Sequence, residues 1–277
     1  MAAITVQDIR RKKGAGEKIV MVTAYDFTMA RLVDKAGVDM VLVGDSLGMV
    51  VQGHEDTLPV TLEEVIYHTR AVARGLTGPH LVADMPFMSY QLSPEQALAN
   101  AGRLVKEGRA QSVKLEGGER TAPAVARIVE AGIPVVGHVG LTPQSVHAMG
   151  GFKVQGRSDA GAQAVMRGAK ALEEAGAFCV VLEGIPADLA AAVTASLAVP
   201  TVGIGAGAGA DGQVLVCTDL LGFDLSFTPR FLKRYAELET TIVGAFQTYA
   251  AEVRAGTFPG PEHAFQRRSP QEIKRLY

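Results

Sequence analysis

The chain has 277 residues, 48% of them hydrophobic, and a formal net charge of −2 at pH 7. That length suits one (β/α)8 barrel, for which about 250 residues is typical, or two smaller domains. The near-balanced charge excludes the basic field that nucleic acid or an acidic membrane surface would require, and no uncharged apolar run is long enough to span a bilayer.

From the N-terminus, residues 1–18 read as a cap. Met1 to Gly14 carries no apolar core of a signal peptide, so a cytoplasmic protein is the expectation. Val6–Lys13 has the pattern of a short amphipathic helix that could plug the floor of a barrel. Strand-like and helix-like segments then alternate. The strand candidates are Ile19–Tyr25, Met40–Ser46, His80–Met85, Ser112–Gly117, Pro134–Val139, Cys179–Ile185, Pro200–Gly205 and Val214–Asp219. Between them, Thr61-Leu-Glu-Glu64 and Ser93-Pro-Glu-Gln96 read as capping boxes, the second with proline at the first helical position. The helix after Ser93 sets Ala97, Ala101, Leu104 and Val105 on one stripe and ends near Gly108. Lys35-Ala-Gly37, Glu130-Ala-Gly132 and Glu174-Ala-Gly176 each read as helix, glycine stop and return to a buried strand. Their irregular spacing rules out a solenoid.

The stretch Gly203 to Gly212 contains G-x-G-x-x-G at Gly207, Gly209 and Gly212. A dinucleotide fold needs a helix straight after it, and Gln213-Val-Leu-Val-Cys217 reads as strand. Two readings stay open: a turn that lets the backbone approach an anionic ligand, and a turn forced by chain geometry. Cys179 and Cys217 lie in strand-like apolar runs and read as core packing. No Pro/Gly/Ser-rich linker divides the chain, so residues 1–277 are expected to form a single barrel domain. Residues 255–277 are expected to be a C-terminal extension, whose Arg267, Arg268, Lys274 and Arg275 suit a solvated tail or a subunit-contact arm.

Five of the strand candidates end in an ionisable residue: Asp45, Asp84, Glu116, His138 and Glu183. In α/β barrels that C-terminal edge is where ligands bind and chemistry happens. Side chains alternate along a strand, so Lys114 and Glu116 share the inward face while Val113 and Leu115 meet the helices. The same alternation turns His138 inward with Val136, Glu183 with Val181 and Asp84 with Val82. Four carboxylates against one lysine cannot sit uncompensated in a confined site. A divalent cation supplies the compensation, and oxygen-only donors favour Mg2+ over Zn2+. Unrelated ion pairs, such as Lys114 with Glu116, are the competing explanation. The recurrence on five strands argues against them.

These segments together resemble the ketopantoate hydroxymethyltransferase family. The matching stretches are Thr23-Ala-Tyr-Asp26, Val43-Gly-Asp-Ser-Leu-Gly-Met49, Leu58-Pro-Val-Thr61, Asp84-Met-Pro-Phe87, Val113-Lys-Leu-Glu-Gly-Gly118, Gly137-His-Val-Gly-Leu-Thr-Pro-Gln144, Gly151-Phe-Lys-Val-Gln-Gly-Arg157, Leu182-Glu183, and Gly203-Ile-Gly-Ala-Gly207 with Asp211-Gly-Gln-Val-Leu-Val216. Ala210 departs from the pattern, standing where the family often has Cys. The resemblance implies a (β/α)8 barrel, commonly a homodecamer. It implies transfer of a hydroxymethyl group from 5,10-methylenetetrahydrofolate to 3-methyl-2-oxobutanoate, giving 2-dehydropantoate for pantothenate and coenzyme A synthesis. Asp45, Asp84 and Glu116 resemble the family's Mg2+ positions. Asp45, Ser46, Asp84 and Lys114 resemble those that hold the keto acid, with His138 as a further residue of that site, and Glu183 resembles the catalytic base. The residues that grip the folate are not readable from the motifs. The alternatives are a Mg2+-dependent 2-oxo acid lyase or mutase on a similar barrel, and a keto-acid sensor without catalysis. Such lyases usually carry a catalytic Cys on a mobile loop, and neither Cys here lies in a polar loop.

Overall fold

A computed structural model describes residues 3–265. Eight parallel strands close into a barrel in chain order, with the last pairing back onto the first. They are β1 (Ile19–Thr23), β2 (Met40–Val43), β3 (His80–Asp84), β4 (Ser112–Glu116), β5 (Val135–Gly140), β6 (Cys179–Glu183), β7 (Thr201–Ile204) and β8 (Gly212–Leu215). Every predicted strand is present, and helices follow the strands around the outside.

The alternation expected along the strands is met. Met40, Leu42, Val82, Val136 and Val181 line one apolar cluster inside the barrel. Val41, Val43, Val113, Leu115, Val180 and Leu182 belong to a second cluster, between sheet and helices. The inner cluster is closed from below by the helix Val6–Ala15, whose fully buried Ile9 packs into it. Burying such a side chain contributes about 1.5–3 kcal/mol. Lys12 and Lys13 tie this plug to Asp39 at 2.9 Å and to Asp211 at 2.8 Å.

The largest departure from expectation is at β8. Val214–Asp219 was the predicted strand, but the strand starts earlier, at Gly212, and Cys217–Leu221 is a short helix. Gly212 pairs with both Ile19 and Val202, and a side chain there would strike the backbone of Ile19. A glycine that reads as loop is thus the residue that lets the last strand meet the first. The Cys217 amide then donates to Thr23 Oγ1 at 2.9 Å, which turns the chain off the sheet. Cys217 is therefore helical, though still buried in the outer core as expected. The glycine-rich turn before β8 is explained by packing: a Cβ on Gly209 would lie 2.8 Å from the Cβ of Ala191, and one on Gly207 would collide with Ala187. Both alanines belong to the helix Ala187–Ser196.

One of the two capping boxes closes fully, with Thr61 and Glu64 bonded reciprocally. The second is half-formed. Ser93 accepts from the Gln96 amide, but the Gln96 side chain reaches past Ser93 to the amide of Leu92 and the carbonyl of Met88. It thereby anchors the loop after β3, where Met88 has φ of 64°.

The helix Leu238–Ala255 buries no residue, and its Val243, Phe246, Tyr249 and Val253 are exposed. The basic end of the extension, including Arg267, Arg268, Lys274 and Arg275, lies outside the described residues. Among those described, no helix is long and apolar enough to cross a membrane.

Candidate active site

Strand register brings the six expected residues to one end of the barrel. Asp84 on β3 stands level with Lys114 on β4, and Glu116 stands level with His138 on β5. Glu183 is level with Gly140, one inward step above the Val181 that faces His138. The stagger inherent in a closed barrel therefore winds these groups upward around the mouth. Asp45 and Ser46 follow the end of β2 after Gly44.

The contacts form a continuous chain. Lys114 Nζ is 2.8 Å from Asp84 Oδ1, and Asp84 Oδ2 accepts from the Asp45 amide at 3.0 Å. Lys114 Nζ also lies 3.5 Å from His138 Nδ1, which is itself 3.3 Å from Glu116 Oε2. On the far side, His138 Nε2 is 3.2 Å from Glu183 Oε2, a close approach that lacks hydrogen-bond alignment. The Lys114–Glu116 pair that competed with the site reading is not the one formed; Lys114 pairs with Asp84. Ser46 Oγ is 2.8 Å from the Tyr25 hydroxyl. Glu183 is the most open of the four carboxylates, its side chain 24% exposed.

Electrostatics follow from crowding these charges in a buried place. Burial, with the like charge of Glu116, raises the Asp45 carboxyl to about 6 against the pull of Lys114. Burial also raises Asp84 to about 6, although Lys114 opposes the rise. Burial disfavours the Lys114 ammonium, but Asp84, Asp45 and Glu116 together outweigh it and hold the amine protonated. His138 is pushed down by burial and by Lys114, yet Glu116 and Glu183 prevail and lift it to about 9. The mouth thus holds four carboxylates against two cations.

Sequence reasoning missed two residues that complete this mouth. Gln144, past β5, donates through its side chain to Asp45 Oδ2 at 2.8 Å and through its amide to Glu116 Oε1 at 2.7 Å. Tyr90, in the loop after β3, donates its hydroxyl to Gln144 Oε1 at 2.7 Å. Gln144 closes one of the motifs quoted above, and that was the signal available.

The donor set suits a hard divalent cation. Asp45 and Asp84 are adjacent, oxygen-only, and both resist ionisation, chiefly because they are buried and secondly because of like charges nearby, a cost that a bound cation would offset. Among the described residues no three Asp, Glu, His or Cys side chains already form a cage. The fit is therefore to an ion such as Mg2+ that keeps much of its water. A hollow of about 320 Å³ lined by Ala162, Gln163, Met166, Arg167 and Leu189 lies between outer helices, and these residues include no carboxylate or imidazole.

Comparison with known proteins agrees with the motifs. The family model of ketopantoate hydroxymethyltransferase matches residues 3–261. A 3-methyl-2-oxobutanoate hydroxymethyltransferase of Syntrophotalea carbinolica is 60% identical over 261 residues, covering 94% of this chain and 98% of its own. One of Enterococcus faecalis is 54% identical over 273 residues, covering 99% of each. Among solved structures, phosphonopyruvate hydrolase in complex with oxalate and Mg2+ aligns with a TM-score of 0.63 at 16% identity, over 98% of this chain and 93% of that one. A 2,3-dimethylmalate lyase aligns with a TM-score of 0.60 at 17% identity, over 99% and 92%. At such identities the likeness is one of fold alone.

Proposed function

The chain belongs to the ketopantoate hydroxymethyltransferase family, and from that premise we propose how its barrel mouth carries out the transfer of a hydroxymethyl group to 3-methyl-2-oxobutanoate. Asp45, Asp84 and Glu116 are the residues that would hold a Mg2+ ion. Glu116 already has its oxygens on the Gln144 amide and His138, which fix its orientation. The ion, when bound, supplies a Lewis acid for the negative charge that develops on the keto oxygen.

The rest falls to the chain's own side chains. Lys114 and Ser46 orient the substrate carboxylate, the ammonium as a fixed charge and the hydroxyl as a donor steered by Tyr25. Glu183 removes the proton from C3. His138 stands between Glu116 and Glu183, and its positive charge keeps Glu183 ionised and ready to accept the proton. C3 then bonds to the one-carbon unit of 5,10-methylenetetrahydrofolate, both carbon–nitrogen bonds of that carbon break, water supplies the hydroxyl oxygen, and the proton from C3 and one from water end on the two folate nitrogens. The observation that carries this reading is the division of the mouth. The Asp45–Asp84–Lys114 group and the open carboxylate of Glu183 lie on opposite sides of His138.

The test is purified protein with 3-methyl-2-oxobutanoate, 5,10-methylenetetrahydrofolate and Mg2+, with product followed by mass. Product that requires all three is expected, and Asp84→Ala should weaken Mg2+-dependent binding of the keto acid sharply. Carbon–carbon cleavage of a 2-oxo acid without the folate would favour a lyase instead, and binding without turnover a sensor. We further place the protein in the cytoplasm as a homo-oligomer, a decamer by the resemblance. The exposed apolar residues of Leu238–Ala255 support association between copies.

A further inference from the structure

Resting on that reading of the mouth, we propose that Gln144 is a positioning residue that sets the spacing and orientation of Asp45 and Glu116, and that Tyr90 locks it in that role.

Gln144 lies in the turn Pro143–Ser145 and is buried. Asp45 and Glu116 are like charges, and this one residue gives a donor to each. Its backbone amide meets Glu116 Oε1 at 2.7 Å; its side-chain Nε2 meets Asp45 Oδ2 at 2.8 Å and the Met85 carbonyl at 3.0 Å. Its Oε1 accepts from the Tyr90 hydroxyl at 2.7 Å and from Gln91 Nε2 at 3.1 Å. A carboxamide has two N–H donors and two lone pairs, and all four are used. The network admits only one orientation of the amide. Turned over, its oxygen would face a carboxylate and a carbonyl, and its N–H groups would face two donors.

Three consequences follow. The separation of two mutually repelling carboxylates is fixed by the length of one side chain. Asp45 Oδ2 is engaged, while Asp45 Oδ1 has no hydrogen-bond or ion-pair partner among the described residues, so one oxygen is held back and the other presented. Tyr90 bonds to Asp45 through Gln144, while its hydroxyl also lies 3.1 Å from the Glu116 carbonyl and 3.3 Å from the Glu116 amide. The tyrosine is set by its own loop, which Gln96 and Asn100 tie to the helix Pro94–Lys106 through the carbonyls of Met88 and Ser89.

Residues that orient metal ligands from behind cost about 10–100-fold in metal affinity when removed. Mg2+ binding should be measured by calorimetry with and without 3-methyl-2-oxobutanoate, beside kcat and KM, on the parent, Gln144→Met, Tyr90→Phe and the double variant. Gln144→Met keeps the length and the backbone donor to Glu116 but removes the side-chain donors to Asp45 and the Met85 carbonyl; about 10–100-fold weaker Mg2+ binding is expected, with kcat lowered in parallel. Tyr90→Phe loses the hydroxyl that meets Gln144 Oε1 and the backbone carbonyl and amide of Glu116, and should cost about 2–10-fold. The double variant should weaken Mg2+ binding by clearly less than the sum of the two single effects, because Tyr90 acts in part through Gln144 and in part on the backbone of Glu116. A merely structural residue would lower the melting temperature and leave the Mg2+ dissociation constant of the folded protein unchanged. Parental Mg2+ affinity in Gln144→Met, or full additivity in the double variant, overturns the inference. If Gln144→Met does not fold, parental affinity in Tyr90→Phe overturns it. A parent that neither binds Mg2+ nor turns over would instead defeat the underlying reading of the site.

Discussion

The interior of the barrel has two ends, and the same strands build both. His80 opens β3 at the floor and His138 lies on β5 at the mouth; they are 2% and 1% exposed. Burial drives His80 down to about 4, with only the Ile4 carbonyl opposing. It pushes His138 down as well, yet that imidazole rises to about 9 between Glu116 and Glu183. Equal burial gives opposite charge states because the floor offers neutral partners, Ser112 Oγ at 2.9 Å and the Ile4 carbonyl at 3.3 Å, and the mouth offers carboxylates. The floor closes the fold. The mouth accumulates charge that the fold alone would not select.

The largest expected effect separates chemistry from stability at the mouth. Glu183→Gln keeps the shape and should lower turnover by about 10²–10⁴-fold, and should abolish exchange of the substrate C3 proton with deuterated water. Its melting temperature should stay within about 2 °C of the parent, as for a partly exposed substitution. Exchange at the parental rate would assign the base elsewhere.

The floor should show the converse. Met40, fully buried in the inner cluster, should cost about 2–5 kcal/mol as Met40→Ala in urea unfolding, while kcat of the folded protein stays within about threefold. A larger fall in kcat at intact stability would show that the two ends are not separable.

Titration sharpens the contrast. With a folded pKa near 4 against 6.5 when unfolded, His80 takes its proton first in the unfolded chain. Stability should therefore fall as pH drops from 6.5 toward 4, by about 3 kcal/mol from this group. The difference in unfolding free energy between parent and His80→Gln, followed across that range, isolates the contribution; a difference that does not change with pH would refute it.

The smallest effect has an unusual sign. Asp45 is raised from 3.8 to about 6, so its ionised form is disfavoured in the fold. Its contribution to stability declines as pH rises from about 4 to about 6 and stays lost above. Without Mg2+ at pH 8, Asp45→Asn should thus raise stability by about 1–3 kcal/mol and should abolish the stabilisation that Mg2+ gives the parent. A destabilised variant under those conditions would mean that the carboxylate contributes to the fold.

Much of this was legible because it depends on short-range pattern. The two-residue alternation of buried strands decides which of Val113, Lys114, Leu115 and Glu116 point inward, and the recurrence at strand ends gathers the mouth residues. Long-range choices were not legible. Gln144 looks like any turn glutamine until β2, β3 and β4 are brought to it. Gln96 satisfies the capping pattern locally, yet its side chain prefers a loop that only the folded barrel puts within reach. His80 gave no hint, since its partners Ile4 and Ser112 lie far off in sequence. The start of β8 was misread because Gly212 is chosen for contact with Ile19, at the other end of the chain.

That last contact has a consequence for how the molecule comes into being. β1 lies beside β8, and the N-terminal plug is bonded to Asp211, so the first strand waits for the last before either has a complete set of neighbours. Emerging from the ribosome, the chain carries β1 as an open edge and Ile9 without its pocket until Gly212 to Leu215 has been made. Closure is a single late event spanning most of the sequence, and such long-range pairing is slow and aggregation-exposed. A chain ending before Gly212 keeps most of its helices and strands in sequence, but it has no means to seal the cylinder.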